Sequence, residues 1–261
     1  MPDVALSSLP ITAFEDVAAL SARRSARWRP GLAAVQGPAL HNEVFALSRE
    51  AAGAGVALAL ALDDWRHVPR ECGCEAEDRR GVLWVQTREA VRLGGRPCRA
   101  GLPADLQGRV IHVLAEKVED ALFALEEGLR CRDLAFVIGE IPGNAKALDF
   151  TASRRLTLAS ERHGVPLFLV RLDAARDLSS ARMRWEATSA PSAPPRWNAQ
   201  APGDPAWRAE LFRARSHAPG EWLLEEEDGK SLRAGRAGGE TDRAVANWAA
   251  GLQHRRAPRR A

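Results

Sequence analysis

Four stretches of the chain are apolar almost without interruption: Gly81 to Thr87 (GVLWVQT), Val110 to Leu114, Leu134 to Ile138 and Val165 to Leu172 (VPLFLVRL). Strands that lack polar alternation must be covered on both faces, which is the condition of a parallel sheet inside two helical layers. The intervening segments have helical periodicity. Val118, Ala121, Leu122, Leu125 and Leu129 form one stripe, with Glu119, Asp120, Glu126 and Glu127 opposite. Thr151 to His163 reads as a further helix closed by Gly164. Earlier, Asn42 to Leu47 reads as a strand, and Ser48 to Gly55 as a loop entering a helix that reaches about Trp65. Strand and helix in alternation predict an α/β fold with a mostly parallel sheet and helices on both faces.

After Asp173 the pattern changes. Arg182 to Thr188 alternates, placing Met183, Trp185 and Ala187 on one side, and Trp207 to Phe212 and Trp222 to Leu224 are similar. These predict a small antiparallel C-terminal addition. Ahead of the core, Ile11 to Arg24 reads as a helix with Thr12 as N-cap, ending in Arg23, Arg24, Arg27 and Arg29 before Pro30. The organisation expected is an N-terminal helix or arm over 1–30, a core with its C-terminal β addition over 31–226, and a flexible basic tail over 227–261. Disorder is expected after about residue 228, apart from a short helix at Thr241 to Leu252.

A chain of 261 residues with 46% hydrophobic content can bury one full core. Its net charge of +3 does not mark it as a nucleic-acid binder. Of 37 basic residues only Lys117, Lys146 and Lys230 are lysine, and there is no tyrosine, a bias that fits a GC-rich genome. Met1 to Pro10 lacks the basic start and apolar run of a secretion signal. Val56 to Leu62 is too short to span a bilayer. A cytoplasmic protein without a membrane segment is expected. Cys72, Cys74, Cys98 and Cys131 do not have zinc-module spacing, so no metal is expected.

In folds of this class a loop after the first strand often cradles phosphates, using glycines for close approach, a lysine, and a hydroxyl for magnesium. Here that place reads Leu47-Ser48-Arg49-Glu50-Ala51-Ala52-Gly53-Ala54-Gly55-Val56. Gly53 and Gly55 keep some of the turn's flexibility, but lysine is absent, Ala54 and Val56 offer neither charge nor hydroxyl, and Glu50 repels phosphate. Ser48, Gly53 and Gly55 are thus read as a degenerate phosphate loop. At the end of the strand Leu134 to Ile138, Gly139 stands where a magnesium-holding acid usually sits. Glu140, one position on, points elsewhere and reads as an exposed strand-end carboxylate. Glu89 reads as a helix-start residue and His112 as a mid-strand residue with one satisfied hydrogen bond. No catalytic residue and no cofactor is assigned.

Trp185, Trp207 and Trp222 read first as core of the C-terminal strands, next as interface anchors, and last as stacking platforms for nucleic acid. Trp197 differs, because its proline-rich loop offers no regular element to bury it. Trp197, with Trp248, Leu252, Arg255 and Arg256 in the tail, is the candidate partner-binding set. The tail's arginines fit DNA phosphates as well, and DNA binding stays open.

In order, GPALHNEVF, GVLWVQTREAVRLGG, VEDALFALEEGL, LAFVIGEI, LDFTASRRLTLASERHGVPLFLVR, ARMRWEAT and WRAELFRARSHAPGEWLLE resemble the ImuA family, from about Pro38 to Glu226. The resemblance implies a RecA-like core and a role in SOS-induced mutagenesis; some members carry SulA-like labels. It implies as partners an ImuB-like Y-family polymerase relative, RecA, and an error-prone C-family polymerase. The resulting expectation is a non-catalytic accessory protein of a translesion complex. The alternative is a RecA-like DNA repair protein that binds or hydrolyses ATP through an atypical site. Deleting residues 1–29 should leave a cooperative melt of near-full stability; an insoluble or molten product would assign the N-terminal helix to the core.

Overall fold

The computed structural model describes residues 41–67, 78–195, 197–198, 200–215, 219–227 and 231–236. The expected N-terminal helix, Cys72, Cys74 and the tail beyond residue 236 lie outside these residues.

The elements follow in the order β1 (His41–Ala46), α1 (Ala52–His67), β2 (Gly81–Thr87), α2 (Arg88–Gly94), β3 (Val110–Ala115), α3 (Val118–Arg130), β4 (Leu134–Glu140), α4 (Phe150–His163), β5 (Leu167–Leu172), β6 (Met183–Ser189), β7 (Ala206–Ala214), β8 (Gly220–Glu227) and β9 (Ser231–Arg236). They form one nine-stranded sheet in the order β3-β2-β4-β5-β1-β6-β7-β8-β9. The fold is α/β, and its mostly parallel sheet with antiparallel C-terminal strands is consistent with a RecA-like core.

The apolar runs account for the layers. Every residue of β1, β4 and β5 is buried. On one face Val44, Ala46, Phe136, Ile138, Phe168 and Val170 pack with Val56, Ala57 and Leu60 of α1. On the other, Leu83, Val85, Val137, Leu167 and Leu169 pack with Ala121, Leu125 and Leu129 of α3 and Leu156 of α4. Strand β3 lies at the sheet edge and is largely half-buried, with Ile111 exposed. Two helices carry side-chain caps: Thr87 Oγ1 accepts from the Ala90 N–H at α2, and Asp149 Oδ1 accepts from the Ala152 N–H at α4. Gly164 closes α4 in the left-handed region at φ 74°.

Two expectations are corrected. First, the C-terminal strands do not begin as an antiparallel addition. β6 pairs parallel to β1, with Val44 opposite Trp185, and the antiparallel ladder starts only between β6 and β7. Trp185 extends the core sideways, meeting Trp222 edge-to-face at 5.8 Å, a contact worth about 0.5–1.5 kcal/mol beyond its buried area. Trp185, Trp207 and Trp222 all lie in this core. Second, residues 231–236, within the stretch expected to be disordered, form a strand. β9 pairs antiparallel with β8, burying Leu232, while Arg233 reaches Glu225 at 2.7 Å and Glu227 at 3.2 Å. Low apolar content concealed a strand whose inward face needs only one large side chain.

If β9 belongs to the cooperative fold, Leu232→Ala should lower unfolding stability by about 2 kcal/mol, the low end for a buried leucine because the strand is at an edge. Urea denaturation that matches the parent chain would place β9 outside the fold.

Candidate functional site

The turn between β1 and α1 holds the positions read as a phosphate loop, but its atoms are otherwise engaged. The Ser48 N–H donates to Asp173 Oδ1 at 2.9 Å. Asp173, just past β5, takes φ 51°, unusual for a residue other than glycine, and its own N–H donates to the Ala46 carbonyl at 3.0 Å. Its hydrogen bond from Ser48 lowers the Asp173 pKa. An amide that could hold a phosphate oxygen thus holds a carboxylate of the same chain. The Glu50 carboxylate faces the other side of the turn and accepts from the Ser189 N–H at 2.9 Å.

The two glycines are a correction. They lie inside α1, not in a flexible loop. A Cβ on Gly53 would stand 2.9 Å from both Ala46 Cβ and Val170 Cγ1, and a Cβ on Gly55 would stand 2.9 Å from the Trp207 indole. Their purpose is to let the helix settle on the sheet. Gly139 is similar: a Cβ there would meet Leu125 at 2.9 Å and Leu169 at 3.1 Å, so an acid in its place would enter an apolar layer.

Glu140 is a second correction, since it is buried. Register places Gln86 directly across from it and Trp84 two positions back on the same face. The Trp84 Nε1–H and the Gln86 amide donate to Glu140 Oε1 at 2.7 and 3.0 Å. Gln86 also donates to the Gly95 carbonyl at 2.9 Å and contacts His112 at 2.9 Å. The signal was present in the sequence as a Trp-x-Gln alternation on the neighbouring strand. Burial raises the Glu140 pKa, partly offset by these two bonds. Glu89 lies in the first turn of α2 and pairs with Arg92.

The polar cluster missed by sequence reading lies on β1. Glu43 is fully buried; Arg184 Nε donates to it at 2.7 Å, Ser179 Oγ at 2.7 Å, and Arg171 lies at 3.8 Å. His41, beside it, bonds Thr157 at 2.8 Å, and burial lowers its pKa to about 4.

Of the candidate partner-binding residues only Trp197 falls within the described set. It is 81% exposed. Trp248, Leu252, Arg255 and Arg256 lie outside it. Among the described residues no three of His, Cys, Asp and Glu cluster as metal ligands, and no helix is long and apolar enough to cross a membrane. Cys98 and Cys131 are exposed free thiols.

Protein ImuA of Caulobacter vibrioides, in each of two strains, is 34% identical to this chain over 163 residues, covering 58% of the chain. This similarity supports an ImuA family assignment. The chain spans 63% of the length of these ImuA relatives. No family model matches it.

Because the folded Glu140 carboxyl keeps its proton to higher pH than the unfolded chain does, its contribution is fully present below the ordinary glutamate range. That contribution is lost as pH rises through the raised value. Glu140→Gln keeps an acceptor for Trp84 and should flatten this decline in stability across mildly acidic to neutral pH. An unchanged stability–pH profile would show that Glu140 titrates as an ordinary carboxylate.

Proposed function

We propose that the chain is a non-catalytic accessory protein of an SOS-induced translesion synthesis complex, bridging an ImuB-like Y-family polymerase relative and RecA. An error-prone C-family polymerase is the third component of the complex in this reading, and the site of action is the cytoplasm. The observation that carries the non-catalytic part is the β1–α1 turn, where Asp173 occupies the Ser48 amide and Gly53 and Gly55 are used up in packing. Phosphoryl transfer depends on charge stabilisation by a lysine, a metal-holding acid and free backbone donors. The turn supplies no lysine, and Glu140, the acid beside Gly139 at the end of β4, is buried under Trp84 and Gln86.

The partner part draws on the ImuA relatives and on two surfaces. Trp197 stands out of a proline-rich loop with its ring in solvent, and exposed tryptophans are favoured anchors of interfaces. The tail from residue 237 combines arginines with Trp248 and Leu252, a composition that suits folding on a partner.

The test has two readouts on the full chain. The purified protein should show no magnesium-dependent ATP hydrolysis above background. From DNA-damaged cells it should co-purify an ImuB-like protein, and removal of residues 237–261, which leaves β9 intact, or Trp197→Ala should weaken that capture at unchanged thermal stability. Turnover abolished by Glu140→Gln, or capture indifferent to both changes, would overturn the corresponding part.

A further inference from the structure

On this protein's surface arginines are commonly matched by carboxylates: Arg66 by Asp105, Arg88 by Glu116, Arg130 by Glu126 and Glu127, Arg208 by Glu221. One open groove of about 450 Å3 gathers several arginines that lack such partners among the described residues. It runs between α4 and the end of β7, and the crossover from β5 to β6 forms its floor at Ser179, Ser180 and Ala181. Arg154, Arg213 and Arg215 line it, and none of the three has an ion pair among the described residues. The neighbours that face away are neutralised: Arg155 reaches Glu126 at 3.0 Å, and Arg208, on the same strand as Arg213, reaches Glu221 at 2.9 Å. Of the groove's arginines Arg182 has a partner, Glu161. The Arg215 backbone N–H bonds the Arg182 carbonyl, which ties the end of β7 to the start of β6 at the groove.

The walls are not only charged. Phe150 and Leu158, 41% and 51% exposed, stand one helical turn to either side of Arg154 on α4. A row of cations beside an aromatic ring matches a strand whose phosphates and bases alternate. The strand bordering the groove, β7, is paired with β6 as far as Ala214 and with β8 as far as Leu211, so on its β6 side it offers no edge to an added peptide strand. The floor hydroxyls also bond α4: Ser180 with Thr157 at 2.6 Å and Ser179 with Ser153 at 2.8 Å.

We propose that this groove is a binding site for single-stranded nucleic acid, with Arg154, Arg213 and Arg215 on the phosphates and Phe150 stacked on a base. The site stands apart from the accessory-protein reading above and does not rest on it.

Fluorescence anisotropy of a labelled oligothymidylate with the full chain, repeated across a salt series, tests it. Each phosphate contact on a single strand contributes about 0.7 to the slope of log affinity against log salt, so the triple variant R154A/R213A/R215A should bind more weakly with a slope shallower by about 2. Phe150→Ala should cost on the order of tenfold in affinity at an unchanged slope, as expected for one lost stack. R88A/R92A/R130A removes as much charge from paired sites and should change neither. Arg154→Gln alone should move the slope in the same direction as the triple variant, which keeps the test valid if the triple variant melts early. Absence of binding by the parent chain, or equal slopes for the parent and both groove variants, overturns the proposal. So does an oligoglutamate peptide that binds the parent chain but not the triple variant while the oligonucleotide binds neither, because the groove then receives an acidic protein segment.

Discussion

The centre of the sheet depends on a single carboxylate. Glu43 sits on β1 with no solvent contact, and its partners come from β5 through Arg171, from β6 through Arg184, and from the crossover through Ser179. Burying an ion costs several kcal/mol unless geometry and hydrogen bonds offset it, and a partner left alone in the interior is more costly still. The two guanidinium groups also lie over the Phe45 ring, at 5.7 and 5.0 Å. These contacts discriminate among arrangements more than they add stability: only the order β5-β1-β6 brings both arginines to the same acid. His41, two residues back on the same face, is held neutral chiefly by its burial, which disfavours the charged form; Arg182, Arg184 and Arg171 push the same way and Glu43 opposes them.

Around this centre, small residues decide how closely the layers approach. Gly53 and Gly55 set α1 on β1, β5 and the Trp207 indole, and Gly139 admits Leu125 of α3. Glycine in a helix costs about 1 kcal/mol against alanine, a cost that the packing here offsets. The same two residues that would make a turn pliable for phosphate instead make a helix fit without a gap. Sequence alone does not separate these uses, because both need the absence of a Cβ.

Much of the architecture was legible because it rests on periodicity. The unbroken runs at β2, β4 and β5 and the stripe on α3 each have one structural solution, and Gly164 falls where a cap is needed. What was missed depends on contacts between distant parts of the chain. Glu43 reads as the polar break in a short strand until Arg171 and Arg184 are placed beside it. Glu140 reads as a strand end until register brings Gln86 opposite. β6 alternates like an antiparallel strand, yet its pairing with β1 follows from where the crossover leads. The groove arginines are spread over 62 residues of sequence only by count along the chain, from Arg154 to Arg215, and nothing local marks them as neighbours.

The length of the sheet has a geometric result. Adjacent strands are ordinarily rotated by about 20–25°, so the eight steps from β3 to β9 accumulate roughly half a turn. The side covered by α3 near β2 and the same side near β8 therefore look out in nearly opposite directions. A single uninterrupted layer gives the molecule two outlooks, and bodies approaching from the two ends need not compete for room.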